Sequence, residues 1–170
     1  GQPVMPNKMI PTRTEYFEQI PRIGKHHRKF IMSHFGCVYA CSYCATHNQR
    51  LTIGAEKYRK FFLTRRPVDD VIAEGRILLQ YDTVEVGLED DDALEGHEAE
   101  AWLADFVPKW RDEIGLPVYA NVTPKTVVKA SDQHMQNLAD LVHVVHMGVQ
   151  VERKESLTMF NRHFQKEDQV

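Results

Sequence analysis

Cysteine is scarce in this chain of 170 residues: there are three, Cys37, Cys41 and Cys44, and none elsewhere. An odd count packed into eight residues cannot build a disulfide framework; it points to metal or redox chemistry in a reducing, cytoplasmic setting. No apolar run approaches the roughly 20 residues of a membrane helix, so no membrane partner is expected. The opening "GQPVMPNKMIPTRTEYFEQIP" lacks a basic segment followed by an apolar one, so no signal peptide is read there. Basic charge is not in excess either. Lys and Arg number 21 against 24 Asp and Glu, for a net charge of -3, which leaves no footprint for nucleic acid. Nine histidines can move that balance at mildly acid pH. Low-complexity tracts are absent. What remains is an ordinary globular composition, 42% hydrophobic and 26% charged, in a chain long enough for one domain with a core.

Residues 1–27 are rich in Pro and polar residues and read as a lead-in or linker, with one short helical turn around Tyr16 to Gln19. "RKFIMSHFG" (28–36) is a compact β-like run that stops at Gly36, just before the cysteines. "GAEKYRKFFLTRRP" (54–67) reads as a charged and aromatic loop. "VDDVIAEGRILLQY" (68–81) predicts an amphipathic helix with Val68, Ile72, Leu78 and Leu79 near one face and two aspartates in its first turn. Strands are expected over 83–90, 116–124 and 142–151. Helices are expected over 95–114, kinked or broken at Pro108, over 131–141 behind a capping Ser, and from 154 to 163.

Strand and helix therefore alternate through four units, the pattern of an α/β fold with parallel strands. Sites on such sheets lie at the carboxyl ends of the strands. Those ends are Cys37 onward, Glu89 to Asp92, Asn121 to Thr123, and Gln150 to Glu152, and each is polar where the strand bodies are apolar. One composite site along one rim is the expectation.

The cysteines are spaced C-x3-C-x2-C on the loop after the first strand. Three thiolates suit a [4Fe-4S] cluster with one iron left open. A Cys3His zinc site using His47, and an iron–sulfur electron-transfer protein, stay open beside it.

That spacing, with aromatic Tyr43 before the last cysteine, resembles the radical S-adenosylmethionine (radical SAM) superfamily. "RKFIMSHFGCVYACSYC" is similar to the strand and loop of those enzymes. "VEVGLEDDDAL" and "VVHMGVQVERKESLTMFNRHFQKEDQV" are similar to the second-strand and fourth-strand segments of the branch often fused to a cobalamin-binding domain. The likeness runs over residues 28–170, read as the core domain. The resemblance implies a partial (β/α)6 TIM-like barrel of which about four βα units are present, an N-terminal part of a longer protein. It implies Cys37, Cys41 and Cys44 as cluster ligands and SAM on the open iron. SAM cleavage to a 5'-deoxyadenosyl radical would follow, serving hydrogen abstraction or methyl transfer on an unknown substrate. Tyr43 would lie by the adenine, Asp90 or Asp91 would meet the SAM ammonium or ribose, and Asn121 and Gln150 would line the cofactor rim. An electron donor such as a flavodoxin or ferredoxin is the implied partner. Cobalamin is implied only through a domain not present in these residues. Gln150 stands where relatives usually carry Glu, which removes an ionic contact there.

Other residues have plainer readings. Asp90, Asp91 and Asp92 outside the resemblance make a solvated acidic loop. His26 and His27 beside Arg28 and Lys29 make a solvated basic turn. His143 and His146 are structural histidines of a strand. Trp102, Phe106 and Trp110 recur at helical spacing and belong to the core. Arg65 and Arg66 before Pro67 are a surface turn or a phosphate contact.

Overall fold

The computed structural model describes residues 12–150 and 153–162. Val151, Glu152 and the residues after 162, to which part of the family likeness was assigned, lie outside the described residues, as do the first eleven. Four strands, β1 (Arg28–Ile31), β4 (Glu85–Leu88), β5 (Val118–Val122) and β6 (Val142–Met147), form one sheet in the order β1-β4-β5-β6. Every pairing in it is parallel. A small antiparallel pair, β2 (His34–Phe35) with β3 (Thr64–Arg65), sits in the first crossover. This is a partial TIM-like barrel of four βα units.

Period-2 alternation sorts the strand residues. Ile31, Val86, Leu88, Val118 and Ala120 are buried in the main core. They meet apolar residues of α5 (Val68–Leu78), α6 (Ala99–Glu113) and α8 (Asp132–Leu141). On α5 the buried set is Val68, Val71, Ile72, Glu74, Gly75 and Leu78; Leu79 is the C-cap and is exposed, although the helical period places it on the face of Ile72. α6 is not broken at Pro108: Phe106, Val107 and Trp110 are buried on both sides of it, and that packing offsets the lost backbone bond.

Three local readings change. Residues 54–67 are not a loop: α4 (Ala55–Phe61) follows α3 (Ala45–Ile53), and Gly54 at φ 91 separates them. Between them these helices bury only Tyr58, so there was no apolar stripe to read. The third strand stops at Val122, and Thr123-Pro124 opens α7 (Pro124–Lys129), with a capping box between Thr123 and Thr126. The lead-in carries α1 (Arg13–Gln19) and α2 (Pro21–Gly24), and Phe17 of α1 joins the core against Tyr81.

On the other face of the sheet, Tyr119 lies across β4. Its register partner is Gly87, where a Cβ would stand 2.4 Å from the tyrosine ring. The hydroxyl continues to Glu89 and donates to Oε1 at 2.6 Å. Arg28 covers one part of the ring and His146 another. Glu85 pairs with Arg28 and with His143, whose other ring nitrogen faces Val118 O at 2.6 Å. Gly87→Ala is expected to cost about 1–3 kcal/mol, the range for overpacking, because the ring must leave its bed. A urea midpoint equal to that of the parent would contradict this.

Candidate metal and cofactor site at the strand ends

The cysteine loop is held from several sides. Gly36 takes φ 82, and a Cβ there would meet Tyr58 Oη at 2.6 Å and Phe62 O at 2.8 Å. Only glycine lets the chain turn this close to α4. Tyr58 Oη then accepts the Cys37 amide at 3.0 Å. Val38 donates its amide to Glu95 Oε1 at 2.8 Å, and Arg50 donates to Val38 O at 2.9 Å. Cys44 N closes a turn on Cys41 O, and Cys44 is the N-cap of α3. The end of α9 (Lys154–Met159) reaches back from the far side of the chain. Ser42 N donates to Phe160 O, and Asn161 Nδ2 donates to Ala40 O. Arg162 bonds Tyr43 Oη at 2.8 Å and Gly148 O at 2.9 Å, with Cys41 Sγ at 3.8 Å.

The three aspartates take different roles. Asp90 is enclosed. Its carboxylate accepts the amides of Ser33 (2.6 Å) and His34 (2.9 Å) and the Ser33 hydroxyl, with Arg65 at 3.8 Å. Asp92 is enclosed too, accepting from Leu94 N and the hydroxyls of Thr123 and Thr126. Only Asp91 turns outward, toward Thr46 on the first turn of α3, whose hydroxyl lies 3.4 Å from it. The solvated-loop reading therefore fails for Asp90 and Asp92, and Asp91 alone of the three reaches solvent. Asn121 donates to Asp90 O and accepts the Ala93 amide, which ties β5 to the same rim. Gln150 sits past β6 at φ 66, exposed, with its amide folded over Gly148.

Arg65 and Arg66 are neither a surface turn nor a phosphate contact. Arg65 stacks on Trp102 and donates to Ser33 Oγ, Ala93 O and Glu95 O. Arg66 is 2% exposed and bonds Glu74 Oε2 at 2.6 Å. Glu95 and Arg162, which touch the cysteine loop, carried no sequence signal: Glu95 lies among the acids of residues 89–98 with nothing to single it out, and Arg162 is more than 100 residues further along the chain. Tyr58 could have been suspected only once α4 was seen as a helix.

Burial sets the electrostatics. The Cys37 thiol is pushed up by burial first and by the Glu95 carboxylate second. Glu95 rises to about 7, chiefly by burial, against the Val38 amide that favours its charged form. His34 is held down to about 4 by burial and then by the Arg65 guanidinium. A histidine depressed in the fold contributes full stability above its unfolded value of 6.5 and loses it as pH falls toward 4. With Arg65 opposite and Asp90 on its own amide, His34 is expected to cost about 3 kcal/mol across that window. Urea midpoints of the parent and His34→Leu should diverge across the window as the parent alone weakens. A constant difference between them would refute it.

Three thiols on one loop are donors that an iron–sulfur cluster takes, and with His47 they are also a zinc donor set. Among the described residues, no three His, Cys, Asp or Glu side chains gather around a common point, as a single tetrahedral ion requires. A cluster takes each thiolate on a separate iron, so its three sulfurs stand around a cubane rather than a single ion. His47 Nδ1 faces Arg50 Nη2 at 3.2 Å.

Solved structures share the fold of this parallel partial barrel. The radical SAM methyltransferase TsrM from Kitasatospora setae, with tryptophan substrate and a SAM analog bound, matches over 87% of this chain and 25% of its own, at 18% identity and TM-score 0.58. The cobalamin-dependent SAM radical enzyme OxsB, with aqua-cobalamin and SAM bound, matches over 82% of this chain and 20% of its own, at 13% identity and TM-score 0.56. The chain thus spans a quarter or less of the length of these relatives. No protein-family model matches the chain. No curated protein matches it either. Among the described residues no helix is long and apolar enough to cross a membrane.

Proposed function

We propose that this chain is the cysteine-loop part of a radical SAM enzyme, with Cys37, Cys41 and Cys44 holding a [4Fe-4S] cluster and the strand ends receiving SAM. The observation that carries it is the anchored three-thiol loop at the carboxyl end of β1, facing the polar ends of β4 and β5. When bound, the cluster supplies the electron that cleaves SAM reductively, in service of hydrogen abstraction or methyl transfer. The chain's own residues do the holding. Gly36 and Tyr58 set where Cys37 stands, Glu95 and Arg50 pin Val38, and Arg162 fixes Tyr43, which would lie by the adenine. Asn121 and Gln150 would complete the rim. A cytoplasmic location and cobalamin on a separate domain fit the same reading.

Asp91 is the acid for the SAM ammonium, because Asp90 is already closed by its own donors. A charged hydrogen bond in a partly dry cleft is worth about 1.5–3 kcal/mol, so Asp91→Ala should lower SAM affinity by that much with the cluster intact. The test is anaerobic reconstitution with iron and sulfide, then SAM titration followed by electron paramagnetic resonance. A cluster spectrum that SAM perturbs supports the proposal. A cluster blind to SAM makes the chain an electron-transfer protein. One tight zinc and no iron makes it a zinc module.

A further inference from the structure

The segment from Arg22 to Lys29 carries four cations, two histidines and no acid. A solvated basic turn accounts for those charges alone. It does not account for the cavity of about 420 Å³ that opens between α1, α2 and β1. Tyr16, Phe17, Ile23 and Phe30 form the apolar part of its wall, and Tyr16 and Phe30 are 43% and 45% exposed. Two half-exposed aromatic rings thus line the same cavity as a row of cations, and among the described residues no acid lines it. A second cavity, of about 480 Å³, shares Arg22, His26 and Arg28 with the first and adds Lys25. Its one acid, Glu85, is already paired with Arg28 and His143. Both cavities lie by the amino end of β1, and the cysteine loop leaves from the other end.

The cations divide by what they already hold. Arg13 is engaged with Glu74 and Phe30 O, and Arg28 with Glu85. Lys29 is 2% exposed and donates to Gly24 O at 3.0 Å and to His26 O, with its ammonium over the Phe17 ring. These three shape the wall. Arg22 and Lys25 are exposed and have no hydrogen-bond or ion-pair partner among the described residues. The His26 ring uses Nδ1 on the Arg28 backbone, which leaves Nε2 for a ligand. A guanidinium, an imidazole and an ammonium on one rim suit a phosphate, which offers three acceptor oxygens where a carboxylate offers two. Half-exposed rings suit a planar ring that stacks on them. The first cavity has the volume of a small-molecule site. We infer that it binds a nucleoside monophosphate, with the base against Tyr16 and Phe30 and the phosphate at Arg22 and His26, Lys25 adding charge from the second cavity. This site stands apart from the cysteine loop and does not depend on the cluster.

The experiment titrates adenosine 5'-monophosphate (AMP), adenosine and inorganic phosphate separately into the parent chain, Arg22→Ala and Tyr16→Ala, and follows backbone amide shifts by NMR. Both substituted side chains are exposed, so the variants should keep the urea midpoint of the parent. AMP should move amides of residues 16–30 and bind the parent more tightly than adenosine or phosphate does. Arg22→Ala should weaken AMP roughly tenfold and leave adenosine unchanged, since only the charged hydrogen bond is lost. Tyr16→Ala should weaken AMP and adenosine alike, by roughly fivefold, and leave phosphate unchanged, since only the stacking is lost. That split between the two variants is what a ring half and a phosphate half predict, and a general loss of fold would not produce it. No response to AMP at millimolar concentration overturns the inference, and so do shifts confined to residues outside 16–30. Benzoate bound as tightly as AMP overturns the phosphate assignment. A short single-stranded RNA bound more tightly than AMP overturns the mononucleotide and makes the segment a nucleic-acid surface.

Discussion

Cys41→Ala is expected to leave the reconstituted chain with iron near background, where the parent takes about four irons. Cys41 is the buried member of the three, at 6% exposure, and sits in mid-loop between Cys37 and the turn into α3. Two remaining thiolates cannot hold a cluster firmly, and the free energy of binding that normally orders the loop is lost with it. Arg162 stands 3.8 Å from the Cys41 sulfur, so the substitution also removes the atom that this guanidinium reaches in the loop. Iron per chain and visible absorbance are the measurements. His47→Ala is the control and should retain its iron. Full iron content in Cys41→Ala would refute the assignment, and loss of metal in His47→Ala would turn it toward the zinc reading.

Glu74→Ala should be the most damaging change away from the loop. Glu74 is fully buried on α5 and accepts Arg13 Nε at 2.5 Å and Arg66 Nη1 at 2.6 Å. Arg66 also donates to Met32 O, but its Nε and Nη2 are already enclosed without a hydrogen-bond partner. Removing the carboxylate strands a buried guanidinium, which costs about 3–5 kcal/mol. That is a large part of the roughly 5–15 kcal/mol by which a domain is ordinarily stable. Glu113→Ala is the contrast. It breaks the Arg76–Glu113 pair, which is largely in solvent, and should change stability by about 0–1 kcal/mol. Denaturant midpoints decide both. Similar losses in the two variants would mean that burial does not govern these pairs. Should Glu74→Ala not fold, Glu74→Gln, which retains an oxygen acceptor, should fold and fall between the two.

The sheet was legible because it rests on local pattern. Val86 and Leu88, or Val118 and Ala120, alternate with residues of the other face, and the helices between them carry their own period, so parallel βα units could be read in order. The edge strand β6 was read as apolar and is, yet Val144, Val145 and Met147 remain exposed, since no further strand of the described residues lies beyond it. The first crossover was less legible. A pair of short helices that share one buried tyrosine leaves no periodic trace, whereas α7 announced itself in Thr123-Pro124 and was passed over as a strand end.

The amino-acid sequence by itself determined the chemistry offered: three thiols on one loop, acids at the next strand end, and the order of strands and helices. Each is a short-range property, contained in spacing or period. Tertiary structure decided which of those groups are available. Asp90 and Asp91 are adjacent and chemically identical, but Ser33, His34 and Arg65 close around one and leave the other facing Thr46. Arg65 and Arg66 read as surface and are buried. Arg162 reaches Tyr43 across 119 residues of sequence. Whether a charge is paired, dry or free depends on what the fold brings against it from far along the chain, and one-dimensional spacing carries no record of that.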